Sequence, residues 1–174
     1  MGERVKQNND LRMNKSELEE RFLSLVDSYK QVIYKVCLMY ATKDESISDL
    51  YQEVVLNLWT AFPRFRNESK PSTWVYRISM NTCISRLRHN SRRPDTVSLT
   101  MSVADLFPEE SEREQLQELY QLISRLGELE RALILLWLDD KSYEEIAEIL
   151  SISVSNVGVR INRIKAKLRE MSNH

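Results

Sequence analysis

The chain has 174 residues, 42% of them hydrophobic and 29% charged, with a net charge of −1. That length suits one ordinary domain or two small ones, and the composition excludes a wholly disordered chain, a collagen-like repeat and a disulfide-rich scaffold. With only 3 Gly and 4 Pro, long helices are expected rather than a many-turned β-sandwich.

Residues 1–15 are polar and uneven and read as a disordered leader. A first helix is expected from Ser16, which has capping-box spacing to Glu19. Leu18, Phe22, Leu25, Tyr29, Ile33, Val36 and Tyr40 then recur every three or four residues as one apolar stripe. Thr42 with Glu45, and Ser46 with Asp49, offer caps for a second helix carrying Ile47, Leu50, Val54, Leu58 and Phe62, which Pro63 ends. After a polar loop, 64–71, a third helix is expected over 72–89. On a helical wheel its core side is Tyr76, Met80, Cys83, Ile84 and Leu87; the other side gathers Trp74, Arg77, Ile78, Asn81, Ser85 and Arg88. Trp74 is placed either to stack on a base or to pack against a neighbouring helix.

Residues 94–110, mixed Ser, Thr, Asp and Pro without periodicity, read as a linker between units at 16–93 and 111–174. The second unit begins with a helix carrying Leu116, Leu119, Ile123 and Leu126, punctuated by Gly127, then the apolar helix 129–138. Ser142 and Glu145 form another capping box before a helix to Leu150, and Ser153 caps a last helix to about residue 170. Ile146, Ala147 and Leu150 face Val157, Ile161, Ile164 and Leu168 across a corner plugged by Ile152, which is helix-turn-helix spacing. The opposite face of the last helix holds Ser155, Asn156, Val159, Arg160, Asn162, Arg163 and Lys167, with no carboxylate. The fold expected is all-α: two small helical domains on a flexible linker, the second containing a helix-turn-helix.

The small net charge hides blocks. Between residues 64 and 93 there are eight basic residues against Glu68 alone; between 105 and 118, six acids against Arg113; between 156 and 169, five bases and no acid. Two basic surfaces on one chain suit a polyanion. Catalysis is not expected. There are 2 His, His89 and His174, no glycine-rich phosphate loop, and Cys83 with His89 falls short of a zinc set, so neither metal nor cofactor is expected. Cys37 and Cys83 as free thiols fit a reducing, cytoplasmic setting, and no stretch is apolar for the roughly 18 residues that membrane insertion needs.

Asp49-Leu-Tyr-Gln-Glu-Val-Val-Leu-Asn-Leu-Trp, Thr73-Trp-Val-Tyr-Arg-Ile-Ser-Met-Asn-Thr-Cys-Ile-Ser-Arg-Leu-Arg and the final helix-turn-helix, in that order, resemble a bacterial RNA polymerase sigma factor of the extracytoplasmic-function (ECF) group of the sigma-70 family. The resemblance runs over about residues 16–170. It implies a sigma factor that binds core RNA polymerase and directs promoter recognition, DNA melting and transcription initiation. It implies that Asp49, Gln52, Glu53 and Asn57 dock on the polymerase clamp, and that Asn67, Glu68, Ser69, Trp74, Arg77, Asn81 and Arg88 hold the melted upstream-ten element. Ser155, Asn156, Val159, Arg160, Arg163 and Lys167 are then expected on the duplex upstream-thirty-five element, where Asn and Arg can read base edges. An anti-sigma factor is a further partner consistent with the group. Three departures stand out: Gly127 where relatives often have proline, Ser151 where the turn often has glycine, and Gly158-Val159 in place of a basic-plus-small pair. They imply an unusual promoter sequence. The competing reading is a helix-turn-helix transcriptional regulator that acts without polymerase docking; it leaves the basic Trp74 helix unexplained. A helical adaptor protein is a third reading, and it predicts no salt-dependent affinity for DNA.

Overall fold

The computed structural model describes residues 2–90 and 110–174, with side chains over 14–89 and 117–174. Seven helices are formed among them and no strand: α1 Gly2–Tyr40, α2 Ile47–Ala61, α3 Pro71–Asn90, α4 Glu110–Ser124, α5 Glu128–Leu138, α6 Tyr143–Leu150 and α7 Val154–Ser172. A 3₁₀ turn, Phe62–Arg64, follows α2. The linker expected over 94–110 falls, up to residue 109, outside the described residues.

Serine caps account for three helix starts. The hydroxyls of Ser46, Ser142 and Ser153 accept from the amides of Asp49, Glu145 and Asn156, and Glu145 returns a bond to the Ser142 amide at 2.9 Å. Each satisfies donors that a helix start leaves free. Thr42 does the same for Glu45 in the turn before α2. Ser16 does not cap. The α1 helix runs back to Gly2, so Ser16 and residues 2–15 lie inside it. That stretch has no proline, and Glu, Arg, Lys, Gln, Leu and Met in it are good helix formers.

The stripes read from the sequence supply the core. Phe22, Ile33, Val36 and Tyr40 of α1 bury against Leu50, Val54 and Leu58 of α2 and Val75, Tyr76, Met80 and Cys83 of α3. Ile123, Leu133, Leu136, Ile146, Val157, Ile161 and Ile164 fill the C-terminal half. The third helix is buried on more sides than one stripe predicts: Thr73, Ser79 and Thr82 are also buried, because α1 and α2 cover one flank and α6 the other.

The two halves touch. Asp139, at the C-terminus of α5, accepts from Lys35 at 2.8 Å and from the Tyr76 hydroxyl, while the Tyr40 hydroxyl donates to the Glu128 carbonyl at 2.7 Å.

Ser151 closes α6 in the left-handed region, φ 56° and ψ 44°. A positive φ strains a serine; the chain adopts it all the same, and the amides of Ser151 and Ile152 both reach the Ala147 carbonyl. Satisfying that carbonyl outweighs the side-chain clash, which glycine would not suffer. Ser151→Gly is therefore expected to stabilise the fold by about 1 kcal/mol, read as a higher thermal midpoint; an unchanged or lower midpoint contradicts strain at this turn.

Candidate nucleic-acid interface

The loop before α3 and the exposed flank of α3 form one wall of a cleft of about 570 Å³. Asn57, Arg64, Phe65, Arg66, Glu68, Ser69, Trp74 and Arg77 line it, with Glu148 contributed by α6. Four residues expected at the upstream-ten element, Glu68, Ser69, Trp74 and Arg77, thus converge. Asn67 does not join them. It takes φ 56°, a left-handed conformation that asparagine tolerates, and lines a separate cleft with Leu18, Arg21, Tyr29 and Phe62. Asn81 and Arg88 lie further along α3, both exposed.

Trp74 both packs on aromatic neighbours and lines the cleft. It stacks on Phe65 at 4.5 Å between centroids, 25° between planes, and approaches Phe62 at 6.2 Å; Phe62 in turn meets Phe22 at 5.4 Å. One indole face is thus occupied within the protein while the side chain still lines the cleft. Of the residues that close the cleft, Arg64 and Arg66 were read from sequence as part of the basic block, and Phe65 only as a loop residue. Their signal was an aromatic between two arginines.

Several cations here are already engaged by the other half. Arg77 donates through Nη2 to the Glu148 carbonyl at 2.7 Å, and its Nε is buried without a partner among the described residues. Arg88 pairs with Glu128, Nε to Oε1 at 2.6 Å, which holds its guanidinium more firmly protonated. Lys70 pairs with Glu145 at 3.3 Å; the Ser142 amide and then Lys70 keep the Glu145 carboxyl below its usual range. Arg86, in the same basic block, is taken up by the buried Glu45 at 2.7 Å.

On α2, Asp49 and Gln52 are exposed, and Glu53 is half-buried. Leu56, 57% exposed, extends their face by one helical turn, an apolar residue that the stripe analysis passed over. Asn57 turns away from that face. Its Nδ2 donates to the Thr82 hydroxyl on α3 at 3.0 Å, and it lines the cleft.

The outward face of α7 is open over Ser155, Val159, Asn162, Arg163 and Lys167, with Asn156 and Arg160 half-buried. Arg160 Nε donates to the side-chain Oδ1 of Asn156 at 2.9 Å, one turn apart, so these two act as a unit. Lys167 is held by Glu130 at 3.0 Å, at the edge of the face. Gly158 has a packing reason: a Cβ there would stand 3.3 Å from the Tyr143 ring of α6. The glycine lets the two helices of the motif approach, which balances its low helix propensity.

The model of sigma-70 region 2 matches residues 25–93, and that of sigma-70 region 4 matches residues 116–168. The chain is 33% identical to the ECF RNA polymerase sigma factor SigW of Bacillus subtilis, over 87% of this chain and 89% of that protein. The chain belongs to the ECF group of sigma-70 factors. Its identity to the ECF RNA polymerase sigma-E factor of Escherichia coli K12 is 32%, covering 84% of each. Among solved structures, the sigma factor RpoE of Bartonella quintana, in complex with the anti-sigma factor NepR, shares the fold at a TM-score of 0.68 and 18% identity, over 90% of this chain and 97% of that one. CnrH, in complex with the cytosolic domain of CnrY, does so at 0.66 and 22%, over 89% of each. This chain is therefore a promoter-directing sigma factor, and the reading as a regulator independent of polymerase is not favoured. No helix among the described residues is long and apolar enough to cross a membrane.

Proposed function

We propose that three surfaces divide the work of this sigma factor. Asp49, Gln52 and Glu53, with Leu56 one turn beyond them, dock on core RNA polymerase. The cleft lined by Glu68, Ser69, Trp74 and Arg77 takes an unpaired base of the upstream-ten element, and Arg88 and Asn81 follow the strand along α3. The α7 face, Ser155, Asn156, Val159, Arg160, Arg163 and Lys167, lies in the major groove of the upstream-thirty-five element. Asn67, on a different cleft, supports the loop rather than the base.

The convergence of Glu68, Ser69, Trp74 and Arg77 on one cleft carries this reading. Extruding a base costs a few kcal/mol, which stacking and a shaped pocket offset. Trp74 and Phe65 supply aromatic surface, and Arg64, Arg66 and Arg77 supply charge for the backbone. Neutralised phosphates release counterions, so affinity falls steeply with salt. Arg77 and Arg88 now bond the Glu148 carbonyl and the Glu128 carboxylate, so contact with phosphate exchanges one partner for another. Its partners are core polymerase and promoter DNA, duplex and melted strand. Both solved relatives are held by an anti-sigma factor or a cytosolic partner domain, and an anti-sigma partner is extended to this chain by that likeness.

The test pairs two variants. With Gln52→Ala/Glu53→Ala, titration of core polymerase is expected to show affinity falling at least tenfold with the helical spectrum intact. With Trp74→Ala, polymerase binding is retained while opening of promoter DNA, followed by a fluorescent base analogue, drops about tenfold, as loss of base–aromatic stacking allows. Undiminished polymerase affinity removes α2 from the docking surface; normal opening confines Trp74 to the aromatic cluster.

A further inference from the structure

The α7 face contains one residue that its chemistry sets apart. Val159 is 50% exposed, yet it has only hydrocarbon to offer. Its neighbours on the face are Ser155 one turn before, and Asn162 and Arg163 one turn after, all exposed and all able to hydrogen-bond. No carboxylate lies on α7 between Ser153 and Arg169, so the face suits a polyanion. Its neighbour Gly158 carries no side chain, and the Tyr143 ring of α6 lies close to that glycine. The β-branched χ1 of Val159 is stiff, so its two methyl groups are held in place before any ligand arrives.

In a major groove, bases offer hydrogen-bond donors and acceptors at every pair, and one apolar feature, the C5-methyl of thymine. A valine cannot bond the polar edges and would strip them of water without replacing it. Against a methyl group it gains burial on both sides. We infer that Val159 reads a thymine methyl group in the upstream-thirty-five element, selecting thymine at one position while Asn156, Arg160 and Arg163 read or hold its surroundings. The inference rests on α7 being the duplex reader proposed above. It goes beyond that by naming the chemical group recognised and the base it selects.

The experiment uses the full chain with core RNA polymerase. Run-off transcription from a library randomised over the upstream-thirty-five region first yields the preferred element. Each thymine of that element, on either strand, is then replaced by deoxyuridine, which removes only the methyl group. One position is expected to lose about three- to fivefold in transcription at limiting protein, the scale of one buried methyl. Val159→Ala is expected to remove that sensitivity at that position and leave the other base preferences in place. Placing 5-methylcytosine there is expected to recover part of what unmodified cytosine loses, for the wild-type chain only. Val159 is half exposed, so Val159→Ala is expected to keep the thermal midpoint, which is measured alongside. Two results overturn the inference: no thymine whose uracil replacement matters, or an equal uracil effect in wild type and Val159→Ala. In either case the preferred element and its dependence on polymerase survive, so the duplex-reader proposal stands. If instead the library returns no preferred element while polymerase binds, that proposal fails, and this one with it.

Discussion

Arg131→Leu is expected to lower the unfolding free energy by about 3 kcal/mol, the scale for losing several bonds to a charged donor in a part-buried site. The guanidinium of Arg131 reaches three backbone carbonyls: Leu126 through Nε at 2.9 Å, Ser124 through Nη2 at 2.6 Å and Met39 through Nη1 at 3.2 Å. Met39 lies in the last turn of α1 and Ser124 ends α4, where carbonyls have no partner within the helix and the macrodipole is negative. One planar fork therefore caps two helix ends and joins the halves of the chain. Its charged form persists there despite burial, which pulls its affinity for the proton down, while nearby Tyr40 and Glu128 push it up. Leucine fills the stem's volume and leaves three carbonyls without donors. Lysine restores the charge and not the fork, so Arg131→Lys should recover less than half of the loss. Urea denaturation of the three proteins measures this. A loss below 1 kcal/mol for Arg131→Leu would show that water replaces the guanidinium without penalty.

Arg131 also marks where the sequence stopped being legible. Its acceptors are backbone carbonyls, which any residue carries, so no pattern of side chains announces them. The visible sign was a cation at the start of the apolar helix 129–138, and charge alone reads there as a solvated turn. The serine caps at 46, 142 and 153 were legible because donor and acceptor lie three residues apart, and spacing is a property of sequence. The helix-turn-helix was legible for the same reason. Ser79 and Thr82, by contrast, are buried although the stripe left them out, because α1 and α2 both pack on α3, and Thr82 meets Asn57 of α2, 25 positions earlier in the chain. A helical wheel sees one helix and not what approaches it. The candidate cleft shows both cases. Trp74 and Arg77 share a helix face by periodicity, but whether Glu68, Ser69 or Asn67 turns toward them depends on loop dihedrals. The positive φ at Asn67 is associated with its side chain lying in the other cleft. Asn57, grouped by sequence with the acidic docking face, instead found a hydroxyl on the neighbouring helix.

Alkaline pH is expected to unfold the chain in a narrow window set by two tyrosines. The Tyr40 phenol is buried, donates to the Glu128 carbonyl at 2.7 Å, and is pushed far above its ordinary 10.0 by desolvation. The Tyr76 phenol is raised as strongly by desolvation and then by its bond to Asp139, whose negative charge opposes a phenolate. Both groups keep their protons in the folded state at pH values where the unfolded chain loses them. Above pH 10 the unfolded state therefore binds fewer protons, and stability falls as pH rises. Below pH 9 both states are protonated, and these groups contribute no slope. Between pH 10 and 11 the unfolded phenol passes from half to mostly ionised, which takes away about 1 kcal/mol per tyrosine, so the pair removes about 2 kcal/mol. That is a large share of the 5–15 kcal/mol typical of a folded domain. Urea midpoints across pH 8 to 11.5 read the slope directly. Tyr76→Phe should halve it, at the cost of leaving Asp139 to Lys35 alone, while Tyr120→Phe should change it less, because burial and then the Asp139 charge raise the Tyr120 phenol by a smaller amount. A stability curve that stays level to pH 11 would mean that both phenols reach water before the fold gives way, and that the tie from Tyr40 and Tyr76 to the C-terminal half opens without unfolding either half.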